Sequence, residues 1–309
     1  MECIVCRNKE MKLVTTITPR QSGGTYEIFA CTNCGLGVTT PFPDKNYLRH
    51  LYKNYYTEFG PPESNGPKNI LKNFLFKCIS SRIPFFQDLC LRCAQSLMQV
   101  VLPPPFGKGR VLDVGCGYGR LLNYFKIYGW KTFGVEPGEK ASRLARMQGH
   151  NVFNAELCDV KFPGDYFNAV VLCHSLEHID NPIETLSEIY RILSPKGLLV
   201  IEVPNAASFD AIFFKSAWQP YELPYHLYHW TPNSLSILLT KLGFNIIKWR
   251  FKTPTFQDLR ENYKNLKYIN KKVKFWKLLF HYLIIRLIAY MGIKKQYYGH
   301  FMTVYAQKP

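Results

Sequence analysis

Acidic residues are scarce in this 309-residue chain: 22 Asp and Glu stand against 39 Lys and Arg, a formal net charge of +17. The shortage is sharpest from Lys241 to Pro309, which holds 15 Lys or Arg and only Asp258 and Glu261. Such a basic stretch suits a nucleic acid, an anionic membrane surface or a phosphorylated substrate, or else it is a solvated helix face. A long uncharged apolar run is also missing. The best candidate, "NKKVKFWKLLFHYLIIRLIAYMGIKK", is too short and too charged at Arg286 to span a bilayer, so an amphipathic helix packed on the core or lying in a membrane interface is expected there. Met1 to Arg7 carries two cysteines and no apolar run follows, which is not a cleavable signal; the expected location is the reducing cytoplasm, with the inner membrane face as an alternative. With 47% hydrophobic residues, Tyr 20 and Phe 22, most of the chain is expected to be ordered, as one principal domain with a smaller appendage.

The ten cysteines are unevenly placed. Cys3 and Cys6, then Cys31 and Cys34, form two CxxC pairs bracketing "TYEIFA", a candidate strand, with Gly35 and Gly37 supplying the second turn. Four thiolates gathered in this way suit tetrahedral zinc with no open position, a structural metal. Cys90 and Cys93 fall within a helical apolar pattern from Lys68 to about Leu102, where packing is the expected role.

Four segments follow from these patterns: a zinc ribbon over 1–40, a linker and helical cap over 41–105, an α/β core over 106–255 and 297–309, and a basic amphipathic helical insertion over 256–296. Within the core, strands are predicted at Arg110–Val114, Trp130–Val135, near Val152–Ala155, Phe167–Cys173, Gly197–Val203, Phe244–Arg250 and Phe301–Gln307. Helices are predicted at Arg120–Tyr128, Glu139–Gln148, Pro182–Ile192 and Ser234–Lys241. Continuous apolar strands separated by helices imply a mainly parallel sheet covered on both faces.

The first core strand runs into "VLDVGCGYGRLL", where Gly115, Gly117 and Gly119 give GxGxG ahead of a helix. A dinucleotide fingerprint needs a glycine at 120, which is Arg120, and no GKS or GKT of a triphosphate loop is present. Glu136 ends the next strand, 21 residues beyond Gly115, where a carboxylate can accept from both hydroxyls of a ribose. Asp113 before the turn would repel a pyrophosphate and attract an ammonium and a sulfonium. S-adenosylmethionine is the expected ligand. The alternative for both acids is capping of the helices that follow.

Residues 106–250 and the last strand resemble the class I S-adenosylmethionine-dependent methyltransferases through "VLDVGCGYGRLL", "GVEP", "FNAVVLCHSLEHIDNP", "IYRILSPKGLLVIEVPN" and "HLYHWTPNSLSILLTKLGF". The resemblance implies a Rossmann-like sheet of seven strands whose last is antiparallel and inserted beside the fifth, preceded here by the small ribbon and helical segment. It also implies that Asp113 and the backbone of Gly115, Cys116, Gly117 and Gly119 surround the methionine part, that Glu136 binds ribose, that Glu156, Leu157 and Asp159 border adenine, and that Cys173 and His174 flank the cofactor. The ribbon followed by "LYKNYY" is similar to methyltransferases of polysaccharide or secondary-metabolite pathways.

Methyl transfer from a sulfonium needs a desolvated, aligned acceptor, and a base if that acceptor is a hydroxyl. His226 is the first candidate, with His229 in support or on an acceptor phosphate, and His174 as a third; His178 reads as structural. Similarity to ubiquinone-pathway O-methyltransferases raises a metal at His174, Glu177 and His178 as an alternative. Tyr221, Tyr225, Tyr228 and Trp230 are pocket walls or core aromatics. The acceptor expected from the resemblance is a sugar or related small molecule on a nucleotide or polyprenyl phosphate. An RNA methyltransferase and a noncatalytic scaffold are the competing readings; the oligomeric state is open.

Overall fold

A computed structural model describes residues 1–19, 24–44, 47–48, 109–269, 276, 279–280, 283–284 and 299–309. The linker and cap expected over 41–105, with Cys90 and Cys93, and the insertion beyond Ile269 fall largely outside these residues.

Two compact units are present. The first comprises Met1–Leu48, His174–Arg191 and Ile201–Pro309; the second comprises Arg49–Cys173 and Ile192–Val200. Residues 1–40 lie in the first of these units.

The second unit is built on β4 (Arg110–Val114), β5 (Lys131–Val135), β6 (Asn151–Phe153) and β7 (Phe167–Cys173), which pair in parallel with Asp113 opposite both Gly134 and Val171. Val111, Leu112 and the run Ala169 to Leu172 are almost wholly buried, as expected for strands covered on both faces. Helices α1 (Arg120–Ile127), α2 (Glu139–Met147) and the short α3 (Leu157–Val160) follow β4, β5 and β6 in turn.

Strand β8 (Leu193–Pro204) contributes residues to both units. It begins well before the expected Gly197 because Tyr166 N donates to Ile192 O (2.7 Å) and Ser194 Oγ donates to Phe167 O (3.0 Å), pinning the approach to the strand.

The first unit contains β1 (Met11–Ile17), β2 (Tyr26–Cys31) and β3 (Gly37–Thr40), the loop and helix α4 (Pro182–Ile192) after His174, then α5 (Phe209–Phe214), β9 (Tyr228–His229), α6 (Pro232–Lys241), β10 (Asn245–Lys252), α7 (Phe256–Tyr268) and β11 (Phe301–Gln307). The seven-stranded sheet has the order β10-β11-β8-β7-β4-β5-β6, with β11 antiparallel to β10 and lying between it and β8. This is the Rossmann-like arrangement expected of the sequence, with its last strand inserted beside the fifth.

A second sheet, β1-β2-β3-β9, joins the ribbon to a two-residue strand from far along the chain. Its Tyr26 and Ile28 pack into one core with Phe214, Trp218, Tyr221 and, from α7, Leu259 and Leu266. The start of the expected insertion is therefore a packed helix.

Candidate cofactor and acceptor sites

In the second unit, Gly115, Gly117 and Gly119 all take positive φ, which a side chain would strain. Gly115 N and Cys116 N both donate to Val135 O, at 2.9 and 3.2 Å, so the turn is fastened to the end of β5. A Cβ built on Gly117 meets nothing within 4 Å, which leaves main chain open to a ligand. Helix α1 opens on Gly119 without a side-chain cap, so its first amides are donors with no intrahelical partner.

Two buried carboxylates stand beside this turn. Glu136 accepts from Gly117 N (2.9 Å) through Oε2 and from Gly138 N (2.7 Å) through Oε1, which orients the group. Asp113 is 3% exposed, and burial, then the nearby Glu136 charge, push its pKa up to about 7. Two like charges buried together are relieved by a cation, and the S-adenosylmethionine ligand carries two positive groups on its methionine part. The residues fit that cofactor. Cys116 is a buried thiol raised by burial and by both carboxylates, which rules it out as a thiolate nucleophile. Leu157 is buried while Glu156 and Asp159 are exposed at the edge of α3, and Cys173 is the half-buried last residue of β7.

In the first unit, His174 is a non-glycine residue at φ 54, held by donation of its N–H to Glu202 O (2.9 Å). Its Nδ1 lies 3.5 Å from Glu177 Oε1 and its Nε2 3.4 Å from Glu202 Oε1, both carboxylates being buried. Burial alone would lower its pKa, but these two acids outweigh that and raise it to about 10; its side chain keeps 41% of its surface, so solvent screens part of the effect. Both ring nitrogens face carboxylates, an arrangement that favours the protonated ring. Glu202 is further paired with Lys252 Nζ and accepts from Thr303 Oγ1 (2.7 Å).

His226 and His229 are both buried. His226 Nδ1 donates to Pro220 O (2.8 Å), leaving an Nε2 lone pair 3.5 Å from Glu222 Oε2. Burial, then the neighbouring His178 and His229, place its pKa well below the usual histidine value. Burial lowers His229 to about 3, and its Nε2 lies 3.0 Å from Thr39 Oγ1. His178 Nδ1 donates to Tyr225 O (3.0 Å), and its ring meets that of His226 edge to face at 4.6 Å. Glu177, His178 and His226 offer ligand atoms within 4.8 Å of one another, and neither Glu177 oxygen has a hydrogen-bond partner among the described residues. This group, with His226 in place of His174, has the donor set of a cation site, but a cation there would occupy the His226 Nε2 lone pair, because Nδ1 carries the proton given to Pro220 O. Glu202, Glu222, Lys252 and Thr39 escaped the sequence reading; a lone Glu inside "LLVIEVP" was the one available signal.

In the ribbon, Cys3 Sγ lies 3.5 Å from Cys34 Sγ and Cys6 Sγ 3.4 Å from Cys31 Sγ, with all four within 4.8 Å. Zn–S bonds of about 2.3 Å at tetrahedral angles put sulfurs about 3.8 Å apart, so the set fits a tetrahedral thiolate site. Burial pushes the Cys31 thiol up, but hydrogen bonds from the Cys34 and Asn33 amides, Cys6 and Asn8 overcome this and bring it to about 6.

Residues 86–248 match a methyltransferase domain family, more than half of the 309 residues. The ubiquinone biosynthesis O-methyltransferase of Cereibacter sphaeroides is 27% identical over 183 residues, 52% of this chain and 74% of that protein. The protein of the same name from Roseobacter denitrificans is 27% identical over 187 residues, 52% of this chain and 73% of that protein. Among solved structures, an S-adenosylmethionine-dependent methyltransferase from Archaeoglobus fulgidus is 22% identical, covers 77% of this chain and 99% of its own, and has a TM-score of 0.48. The glycine turn, its two carboxylates, the sheet order and the family match agree: the chain belongs to the methyltransferase domain family and is an S-adenosylmethionine-dependent methyltransferase.

Proposed function

We propose that the enzyme O-methylates a sugar or related small molecule carried on a nucleotide or polyprenyl phosphate. The observation carrying this reading is the buried His226, whose Nδ1–H is given to Pro220 O so that Nε2 is left as a proton acceptor beside Glu222. Such a group serves a hydroxyl. The cofactor, when bound, would supply a sulfonium methyl to that hydroxyl, its sulfur leaving with the electron pair as a neutral thioether, and His226 Nε2 would take the hydroxyl proton. The O-methyltransferase names of the relatives support oxygen as the acceptor atom.

A phosphate carrier and an anionic membrane surface are supported by the excess of 15 Lys or Arg over two acids from Lys241 onward. Trp276, Phe280, Leu283 and Ile284, helical and exposed, share the spacing of one helix face. No helix among the described residues is long and apolar enough to cross a membrane. Cys3, Cys6, Cys31 and Cys34 hold a structural zinc in this reading.

The deciding experiment supplies radiolabelled S-adenosylmethionine to the purified protein with extract of its source cells and separates nucleotide-sugar, lipid and nucleic-acid fractions. Label in the first two is the expected result, whereas ribonuclease-sensitive label overturns it in favour of RNA. Binding to phosphatidylglycerol vesicles with a blue shift of tryptophan emission, absent with phosphatidylcholine alone and lost on Trp276→Ser, tests the membrane surface.

A further inference from the structure

The ribbon meets the acceptor segment at one fully buried residue. Thr39 lies in β3 and donates its N–H to Leu227 O (3.0 Å) and its hydroxyl proton to His226 O (2.7 Å). A hydroxyl has one proton, so with that proton on His226 O the 3.0 Å contact to His229 requires His229 Nε2–H to donate to Thr39 Oγ1. One side chain therefore fixes the course of the chain at 226 and 227 and selects the Nε2–H tautomer of a neutral His229.

The rest of the interface prevents slippage. β3 pairs with β9 through Gly37 opposite His229 and Val38 opposite Tyr228. A Cβ at Gly37 would stand 2.8 Å from His229 Cβ, so the backbones approach as closely as glycine permits. Beyond β9, Thr231 Oγ1 donates to Cys34 O (3.0 Å) at the start of α6, and Lys241 Nζ at its end donates to Val5 O (2.7 Å). Both CxxC turns are thus tied to the two ends of the helix that follows the histidines.

We propose that Thr39 is a positioning residue for methyl transfer, acting through His226 and His229, so that the N-terminal ribbon is a working part of the acceptor machinery. The inference rests on the reading that the segment from Tyr225 to Trp230 serves the acceptor.

The test compares Thr39→Val, which keeps size and loses the hydroxyl, with Thr39→Ser, which keeps it. Histidine side-chain nitrogen NMR and amide hydrogen exchange are read on both, with S-adenosylmethionine affinity by calorimetry and transfer of label to extract. In Thr39→Val the His229 Nε2–H tautomer gives way to a mixture, exchange at Leu227 to His229 rises at least tenfold, and transfer falls about tenfold while cofactor affinity changes less than twofold; Thr39→Ser restores all three. An unchanged tautomer and unchanged exchange in folded Thr39→Val overturn the proposal. Raised exchange with full transfer instead overturns the acceptor reading and leaves the clamp standing. Should Thr39→Val not fold, the unaltered protein decides: an Nδ1–H tautomer at His229, or Leu227 and Tyr228 amides exchanging as fast as loop amides, refutes the role of Thr39.

Discussion

Asp113 couples the cofactor to pH. Its carboxyl titrates near 7 because burial and Glu136 both oppose its charge, yet the cationic methionine part prefers it ionised. S-adenosylmethionine affinity is therefore expected to rise about tenfold between pH 6 and pH 8 and to level off above, measured by calorimetry; Asp113→Asn should remove the slope. His226 behaves oppositely. With its pKa well below the usual histidine value it stays deprotonated through the neutral range, so the rate at saturating substrate should be flat from pH 6 to pH 8. His226→Ala should lower that rate by about 10²–10⁴ without weakening the cofactor, and intact turnover in this variant would remove His226 from the chemistry. Asp113 and Glu136 were legible in the sequence because they sit at fixed offsets from the glycine turn. The place of His174 between two carboxylates was not, because the second of them, Glu202, comes from another strand.

At the scale of elements, α6 shows how a local signal acquires a distant use. "WTPNSL" is a readable helix start: Thr231 accepts from Ser234 N, Ser234 answers on Thr231 N, and Pro232 stands at the first turn. The same Thr231 hydroxyl reaches Cys34 O in the ribbon. Thr231→Ala should cost about 1–2 kcal/mol in denaturant unfolding, more than a surface cap, and Thr231→Ser should recover most of it. The four predicted helices and the seven strands of the main sheet appear within a few residues of the predicted spans, since apolar periodicity and glycine turns are local properties, whereas α3 and α5 were not predicted. β9 was invisible: two residues carry no periodicity, and Tyr228–His229 is a strand only because β3 lies beside it.

For the whole molecule, stability should follow cofactor, pH and metal together. A carboxyl whose folded pKa is raised favours the fold below its unfolded value near 3.8 and loses that contribution as pH rises to about 7, so the cofactor-free protein should melt lower at pH 7.5 than at pH 5 by this group, and added S-adenosylmethionine should close the gap. If the four cysteines hold zinc as proposed, a chelator, like Cys31→Ser, should lower the melting midpoint by at least about 5 °C, because the ribbon sheet supplies Tyr26 and Ile28 to a core shared with α5 and α7. An unchanged midpoint after the metal is shown to be gone would mean the four thiols hold the ribbon without it. The sequence by itself determined the α/β core, the cofactor turn with Asp113 and Glu136, and the four-cysteine set, since each is a matter of spacing along the chain. Only the tertiary structure decided that His226 and His229 are buried, that Glu177 gathers with His178 and His226, and that Thr39 is bonded to the chain at His226 and Leu227. Those depend on burial and on polar groups brought together across separations as long as the 190 residues between Thr39 and His229, which no local pattern encodes.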